Sequence, residues 1–464
     1  MFLGISFINN HFLLGDYMLF LNLIKTYNEI GQEFVSVYLN ANRPILDGIH
    51  FIFDSLFLVF LYIAIFISLI FIIMSIVSVF SRKKEKEYSF DEPNAPFVTI
   101  QIPTYNELAA INCAKQCLKL DYPKDKYEII IGDDSNNSAV SKQIDDFAAL
   151  NKSIVKITRR GNNAGFKPGN LNYMLQSSKG EIITILDSDF LPDAGFLKSL
   201  VAPFQKDKNI GGVQARWKFV NQNQNLITIL GSVIGLAFHH IYLPFMKKTG
   251  KVSFLCGSAE AVRKDLITKL GGWQDGSLTE DIEFSLRLLN NGFDIVYLED
   301  AECGCEVPHI AKDLYRQQMR WAFGVVSAFM QHTLGILLST NLNLKKKISI
   351  HFQGMGYFFS TLLFFMFITG TISFFSNPPA PINIAQFLQD TGINILFTSG
   401  IMISSVVAVI KTRNSKLLLK TFLTSFTYGL IVTYYVNVGI YKALVGKKMM
   451  WFMLSKNGNK IVNA

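Results

Sequence analysis

Long apolar runs near both ends of the chain enclose a central region in which short apolar runs alternate with amphipathic stretches. The run at 51–80 is almost uninterrupted, and a helix needs about 20 apolar residues to cross a bilayer. Three more long runs lie at roughly 350–375, 393–410 and 417–445. The pattern therefore predicts a transmembrane helix at 51–80 and a transmembrane region of two to three spans at 349–446.

Three further segments border these predicted spans. Residues 1–50 are apolar but repeatedly interrupted by polar residues, which predicts a membrane-associated N-terminal segment. Residues 325–348 end in the basic run Lys345–Lys347 and predict a helix at the membrane interface. Residues 447–464 form a basic C-terminal tail.

The central region, residues 90–324, predicts a separate α/β domain. Strands are expected at 97–103, 127–132, 154–158, 181–186 and 212–217, with helices between them, for example at 107–118 and 169–178. This alternation predicts a mostly parallel sheet covered by helices on both faces. Because ligands of such sheets bind beyond the carboxyl ends of the strands, functional residues are expected there.

The composition fits a protein that lies partly in the membrane and partly in water. The chain has 464 residues and a net charge of +9, half of its residues are hydrophobic, and its mean hydropathy is +0.28. Basic clusters at 82–84, 345–347 and 411–413 flank apolar runs, which predicts an integral membrane protein whose central domain lies in the cytoplasm. The membrane is expected to be the plasma membrane. No stripe of basic and aromatic residues accompanies the clusters, so nucleic acid is not an expected partner. Three full crossings near the C-terminus would put the basic tail outside, against the positive-inside rule, so the number of spans stays open.

The strongest candidate for chemistry is the segment that follows the strand predicted at 181–186. Asp187 and Asp189 are separated only by Ser188, so their side chains point the same way at the end of the strand. Two carboxylates there suit a divalent cation that keeps open positions for phosphate oxygens. Taken alone, the same residues also fit an acidic turn.

Other polar residues follow neighbouring predicted strands at the same edge of the sheet. Thr104, Asn106 and Glu107 follow the first strand, where the last two could equally cap the next helix. Asp133 and Asp134 end the second strand. Carboxylates there could accept hydrogen bonds from the ribose hydroxyls and base of a nucleotide, or could simply form a turn.

Two later stretches add a cation and a candidate base. Lys167 lies in a glycine-rich stretch at a helix start, which suits an anion, although a solvated loop is the alternative. Asp281 lies beside Glu280 at another predicted helix start and could act as general base toward a hydroxyl. Glu280 also fits a capping box with Ser277.

The last motif predicts a binding platform. On a helix, Gln317, Arg320 and Trp321 share one face. Arginine offers a forked donor to diphosphate, and tryptophan offers a flat apolar surface on which a sugar ring can stack. An amphipathic helix at the membrane interface would show the same pattern.

The chain resembles the membrane-bound, inverting family-2 glycosyltransferases in three motifs, which are Asp187-x-Asp189, Thr279-Glu280-Asp281 and Gln317-x-x-Arg320-Trp321. The relatives in question are the cellulose, hyaluronan and mannan or glucomannan synthases and, more distantly, ceramide glucosyltransferase. The resemblance covers residues 96–324 in detail. The stretch Leu255–Ser258 is similar to a connecting motif of the family, and 446–456 to the tryptophan-to-lysine ending of its mannan-synthase-like branch.

The resemblance implies a GT-A fold, a UDP- or GDP-sugar as donor and Mg²⁺ or Mn²⁺ as cofactor. It implies that Asp187 and Asp189 hold the metal and that Asp281, beside Glu280, is the catalytic base. The residues implied to bind the donor are Thr104, Asn106, Glu107, Asp133, Asp134, Lys167, Asp187 and Ser188. Those implied to bind the acceptor or the diphosphate are Gly257, Ser258, Gln317, Arg320 and Trp321.

Three functions follow as hypotheses. The leading one is a hexosyltransferase that elongates a β-linked polysaccharide, with inversion, at the cytoplasmic face of the lipid bilayer. The second is transfer of a single sugar to a lipid acceptor, as in ceramide glucosyltransferase. The third, an inactive membrane scaffold or sugar-nucleotide sensor, is disfavoured by the intact acidic motifs. The sequence identifies neither the sugar nor an export partner or homo-oligomer, since such specificity depends on dispersed contacts.

Overall fold

The computed structural model describes residues 29, 40–80, 88–377, 384–452 and 454–455. Most of the predicted N-terminal segment at 1–50 and the tail beyond 455 therefore lie outside the described residues. The chain divides into two compact units, Met1–Ile70 with Thr361–Ile401 and Phe71–Ser360 with Met402–Ala464. The second unit contains the predicted α/β domain.

The described part of the chain forms one eight-stranded sheet. The strands are β1 Val98–Thr104, β2 Tyr127–Asp133, β3 Val155–Thr158, β4 Ile182–Ile185, β5 Leu191–Pro192, β6 Ile210–Phe219, β7 Glu260–Arg263 and β8 Asp294–Cys305. The helices up to the end of the domain are α1 Asn40–Phe80, α2 Ala109–Cys117, α3 Ser138–Leu150, α4 Phe166–Ser177, α5 Phe196–Lys206, α6 Leu226–Ala237, α7 Leu243–Gly250, α8 Lys264–Lys269 and α9 Glu280–Asn290, with a π-helix at Phe238–Tyr242. The later helices are α10 Ala311–Leu338, α11 Leu344–Met355, α12 Phe358–Ser376, α13 Ile384–Phe397, α14 Gly400–Lys411, α15 Leu418–Phe426 and α16 Tyr428–Leu444, with a 3₁₀ turn at Ser415–Leu417.

The strand order is β3-β2-β1-β4-β7-β6-β8-β5. Strands β3, β2, β1 and β4 are parallel neighbours, which confirms the predicted parallel core of the sheet. Strand β7 runs antiparallel between β4 and β6, and β5 runs antiparallel to β8. The sheet is therefore parallel on one side and mixed on the other.

All five predicted strands form, each within two residues of its predicted ends. Strands β5, β7 and β8 are additional. β7 has only four residues and is charged at both ends. β8 alternates buried and partly buried positions and has a bulge opposite Ala215 and Arg216. Neither shows the continuous apolar run that marks a buried parallel strand.

The register of the parallel strands brings the predicted site residues to one edge. In the β1–β2 pair Thr104 lies opposite Asp133. In the β1–β4 pair Gln101 lies opposite Ile185, two residues before Asp187. Both β1 and β2 are buried along their whole length, as expected for a sheet that is covered on both faces.

Helices α9 and α10 pack closely. A Cβ atom added to Gly324 of α10 would lie 2.5 Å from the side chain of Thr279, at the start of α9. Farther along, the Glu283 carboxylate accepts hydrogen bonds from Arg287 and His332, and so joins α9 to α10. The start of α9, which carries the acidic motif, is thus held beside the motif at 317–321.

Four of the described helices are long and apolar enough to cross a membrane, namely Arg43–Phe80, Leu226–Gly250, Ala311–Leu338 and Phe358–Ser376. Two bent pairs, α13 with α14 and the 3₁₀ turn and α15 with α16, would raise this number to six. The span predicted at 51–80 lies within the first of these helices.

Candidate active site

A cavity of about 400 Å³ lies at the carboxyl edge of the sheet. Its wall is formed by segments that follow β1, β2, β4 and β8, by the starts of α4 and α9, by α10 and by the segment around 451–455. The predicted site residues that line it are Thr104, Glu107, Asp134, Lys167, Asp187, Ser188, Asp189, Gly257, Glu280, Asp281, Gln317, Arg320 and Trp321. The fold thus brings together residues that the sequence separates by more than two hundred positions.

Three other predicted residues lie behind the cavity wall. The Asn106 side chain accepts hydrogen bonds from backbone N–H groups of the loop after β2. Asp133 accepts a hydrogen bond of 2.8 Å from Arg159. Ser258 is fully buried, and its hydroxyl accepts a hydrogen bond of 2.9 Å from the Asp187 N–H. These hydrogen bonds indicate that the three residues hold neighbouring parts of the site in position.

Two arginines outside the predicted motifs neutralise the acidic pair after β2. Arg160 contacts Asp134 at 2.6 Å, and Arg159 contacts Asp133 at 2.8 Å. Burial raises the pKa of Asp133, but hydrogen bonds from two serines and Arg159 outweigh it and leave that pKa lowered. At Asp134 burial outweighs the pairing with Arg160, and the pKa is raised. Both arginines directly follow the strand predicted at 154–158. Their position at the same edge of the sheet could therefore have been predicted from the sequence.

Lys167 lies at the centre of the acidic residues. Its ammonium group is 2.9 Å from carboxylate oxygens of both Asp187 and Glu280, and it donates a hydrogen bond to the Gly257 carbonyl. Burial lowers its pKa, but attraction to Asp187, Glu280 and Glu260 outweighs burial and raises it. Lys167 therefore stays charged although its side chain is only 11% exposed, and this burial contradicts the alternative of a solvated loop.

The capping interpretations of the two helix starts are wrong. Helix α9 has Thr279 as its N-cap residue with no side-chain cap hydrogen bond, and the Glu280 carboxylate pairs with Lys167. The helix after β1 also lacks a side-chain cap, and Glu107 accepts a hydrogen bond from the Ser188 hydroxyl. Both acids are thus directed toward the cavity.

Asp187 and Asp189 fit part of a divalent metal site. The Asp187 side chain is 33% exposed, and Asp189 is buried and accepts a hydrogen bond from the Glu306 N–H. Among the described residues, no group of three His, Cys, Asp or Glu side chains is arranged to hold a metal by itself. Two carboxylates suit an ion such as Mg²⁺ or Mn²⁺, whose remaining ligands are water and phosphate oxygens.

Asp281 faces the cavity at the start of α9. Burial and the neighbouring Glu280 raise the pKa of Asp281 to about 7, against the opposing effect of Lys167. A Cβ atom added to Gly257 would lie 3.4 Å from Asp281 Oδ2, so the carboxylate faces the turn that contains Gly257. A carboxylate with a pKa near neutral pH is suited to act as a general base.

The segment around Trp451 closes one side of the cavity. Arg320 donates a hydrogen bond of 2.8 Å to the Leu278 carbonyl, and its guanidinium carbon lies 4.2 Å from the centre of the Trp451 ring. Trp451 also stacks on Phe166, with ring centres 6.2 Å apart. Trp451 belongs to the basic tail and to the 446–456 stretch that is similar to the ending of the mannan-synthase-like branch, but no local pattern in the sequence indicates that this segment returns to the sheet edge.

The fold and the acidic motifs define a glycosyltransferase domain of the GT-A type. The family model described as "Glycosyltransferase like family 2" matches residues 93–324, half of the chain. The chain therefore belongs to this family. The predicted family and fold are confirmed, and the predicted enzyme class, a hexosyltransferase, agrees with them.

The most similar relatives include glucomannan mannosyltransferases and a bacterial protein. The probable glucomannan 4-beta-mannosyltransferase 7 of Oryza sativa subsp. japonica is 31% identical over 54% of this chain and 44% of the relative. The probable glycosyltransferase YdaM of Bacillus subtilis (strain 168) is 28% identical over 77% of this chain and 86% of the relative. The chain thus spans only about half the length of the glucomannan relatives that it matches.

A solved structure shares the fold. The mannosyltransferase PcManGT from Pyrobaculum calidifontis, in complex with GDP-Man and Mn²⁺, matches with a TM-score of 0.57 at 17% sequence identity. The match covers 87% of this chain and 100% of the other.

Proposed function

We propose that this chain is an inverting membrane glycosyltransferase that adds a hexose from a nucleotide-diphosphate sugar to the end of a β-linked polysaccharide. The observation that carries the proposal is the position of Asp281, which shares one cavity with Lys167, Arg320 and the Asp187–Asp189 pair. A base, two cations and a pair of hard oxygen ligands are what transfer from a nucleotide diphosphate requires.

Asp281 accepts the proton of the acceptor hydroxyl as the oxygen attacks the anomeric carbon. The bond between that carbon and the diphosphate oxygen breaks in the same step, and the nucleoside diphosphate leaves. Attack opposite the leaving group inverts the anomeric carbon. Lys167 and Arg320 supply positive charge where negative charge builds up on the diphosphate, which lowers the barrier because these groups are already in place.

Asp187 and Asp189 would hold Mg²⁺ or Mn²⁺, which when bound stabilises the charge of the leaving diphosphate. The hard oxygen donors of this pair support this assignment, and so does the Mn²⁺ in the PcManGT complex. Thr104, Asp133 and Asp134 lie at the sheet edge where the nucleoside would bind. Asp134 meets the nucleoside directly, and Arg159 and Arg160 fix the acidic pair.

GDP-mannose is the first donor to test. Several relatives are named glucomannan 4-beta-mannosyltransferases, and the PcManGT structure contains GDP-Man. The reaction is assigned to the cytoplasmic face of the plasma membrane, where nucleotide sugars are made available. The basic clusters that flank the apolar segments support this orientation.

The test is a donor panel with purified, detergent-solubilised full-length protein. GDP-mannose, UDP-glucose, UDP-N-acetylglucosamine, UDP-galactose and UDP-glucuronate are each supplied with Mn²⁺ or Mg²⁺, and the released nucleotide and the product size are followed together. We expect turnover with one donor and a product that grows in length and is cut by an endo-hydrolase.

The alternative outcomes separate the competing hypotheses. A product of fixed size that forms only with added lipid would replace the polysaccharide acceptor by a lipid. Absence of turnover with every donor, together with absence of donor binding in calorimetry, would refute a transferase function.

A further inference from the structure

Trp217, at the cavity end of β6, is a residue that the motifs of the sequence do not include. It lines the same cavity as Trp321, and the two indole rings have centroids 6.5 Å apart and planes inclined at 56°. The Trp217 indole N–H donates a hydrogen bond of 3.1 Å to the Ser258 carbonyl. Because this polar group is already bonded, the part of Trp217 that meets the cavity is apolar ring surface.

The orientation of the Trp217 ring is determined by the protein itself. Phe190 packs edge-on against it at 5.3 Å and 77°, and His239 lies at 5.1 Å with an inclination of 33°. The side chain is nevertheless partly exposed. A large aromatic ring that is held rigidly and still reaches a cavity costs little conformational entropy when a ligand binds to it.

Trp217 and Trp321 together form an angled apolar wall. Val307 and Pro308, which follow the strand paired with β6, line the same cavity. The donor side of the cavity carries the charged residues, among them Lys167 and Asp187. The C–H faces of sugar rings are apolar, and the negative face of an aromatic ring attracts the C–H groups that point at it.

We propose that Trp217 is a second acceptor-binding residue, so that the site holds two successive sugar units, one on Trp321 and the next on Trp217. This inference rests on the proposed function, because it requires a carbohydrate acceptor. A single indole would suffice for one sugar ring or for the head of a lipid. The two adjoining indole rings are inclined to each other, which fits a saccharide chain whose consecutive sugar rings are also rotated relative to each other.

The test compares acceptors of different length in three variants of the full-length protein. The donor is the nucleotide sugar that turns over in the panel, and the acceptors are the β-linked mono-, di- and trisaccharides of the same sugar. We expect Trp217→Ala to raise the KM for the disaccharide about tenfold, since it removes the area and the ring contact of one stacked sugar. The KM for the monosaccharide changes much less, because that unit is held by Trp321.

Trp217→Phe separates stacking from positioning. It keeps an aromatic ring but removes the hydrogen bond to Ser258, whose hydroxyl contacts the Asp187 N–H. We expect this variant to keep a disaccharide KM close to that of the natural protein. The control is Lys218→Ala, an exposed neighbour on the opposite face of β6.

Two results would overturn the inference. The first is an unchanged disaccharide KM in Trp217→Ala. The second is equal damage in Trp217→Ala and Trp217→Phe together with weaker nucleoside diphosphate binding in calorimetry, which would make Trp217 a positioning residue that acts through Ser258. If the natural protein used only a lipid acceptor, the proposed polysaccharide function itself would be wrong. The natural protein alone would show this, because it would not turn over with any of the saccharide acceptors.

Discussion

Replacing Asp281 by asparagine tests the proposed base with the least change in shape. A general base typically contributes about 10²–10⁴-fold to the rate, so we expect Asp281→Asn to lower kcat by about that factor. The side chain keeps its size, and Lys167 keeps its contacts with Asp187 and Glu280. Binding of the nucleoside diphosphate should therefore persist.

The pH dependence of the natural protein gives a second measure of the same group. The pKa of Asp281 is raised to about 7, so the carboxyl is protonated and inactive as a base below that pH. With one such group, kcat/KM should rise about tenfold from pH 6 to pH 8. The slope of this rise should vanish in the Asp281→Asn variant.

The assay follows release of the nucleoside diphosphate at saturating donor, and calorimetry measures the Kd of the nucleoside diphosphate. Asp300→Asn makes the same chemical change at an exposed position of β8 and serves as the control. Equal loss of activity and of nucleotide binding in Asp281→Asn would refute the reasoning, and so would a flat pH profile in the natural protein.

Three further predictions concern packing, the donor and the metal. Gly324→Val should cost about 1–3 kcal/mol of stability and lower kcat, because a Cβ there would lie 2.5 Å from Thr279; an unchanged Tm would contradict the close packing. Arg160→Met leaves the buried Asp134 without its arginine partner, so it should lower the free energy of unfolding by about 3 kcal/mol and raise the KM for the donor. An unchanged free energy of unfolding and an unchanged donor KM would contradict a role for this ion pair. Asp187→Asn should raise the Mn²⁺ concentration for half-maximal activity by at least about tenfold in a metal titration, and an unshifted titration would exclude Asp187 as a ligand.

The parallel half of the sheet could be predicted because its signals are local. Strands β1, β2 and β4 are buried along their whole length and are rich in isoleucine and other β-branched residues, and the acidic residues that follow them mark the edge. Asp187 and Asp281 could be selected from the sequence because each lies at the end of a strand or the start of a helix.

The rest of the site depends on contacts that no local pattern contains. Trp217 lies on a predicted strand, where a tryptophan is equally consistent with a core residue. Its place in the cavity depends on the segment after the neighbouring strand β8 and on α10, which line the same cavity. Trp451 follows α16 and contacts Arg320 and Phe166, which lie far from it in the sequence. The sequence pattern around Glu280 also fits a capping box, and the pairing of Glu280 with Lys167 could not be predicted because it joins segments far apart in the sequence.

The contacts of Lys167 also bear on how the protein is made. Its two carboxylate partners come from the segment after β4 and from the start of α9, which the ribosome completes at different times. Chains grow from the N-terminus, so β1 to β4 are available for pairing while Glu280 has yet to be synthesised. Until Glu280 is present, only Asp187 of these two carboxylates can neutralise Lys167. Burial of the ammonium group is then less favourable, because an incompletely paired buried charge is costly. Catalytic competence therefore marks the completion of the whole domain, and a chain arrested before α9 would carry the nucleotide-side strands without an assembled reaction centre.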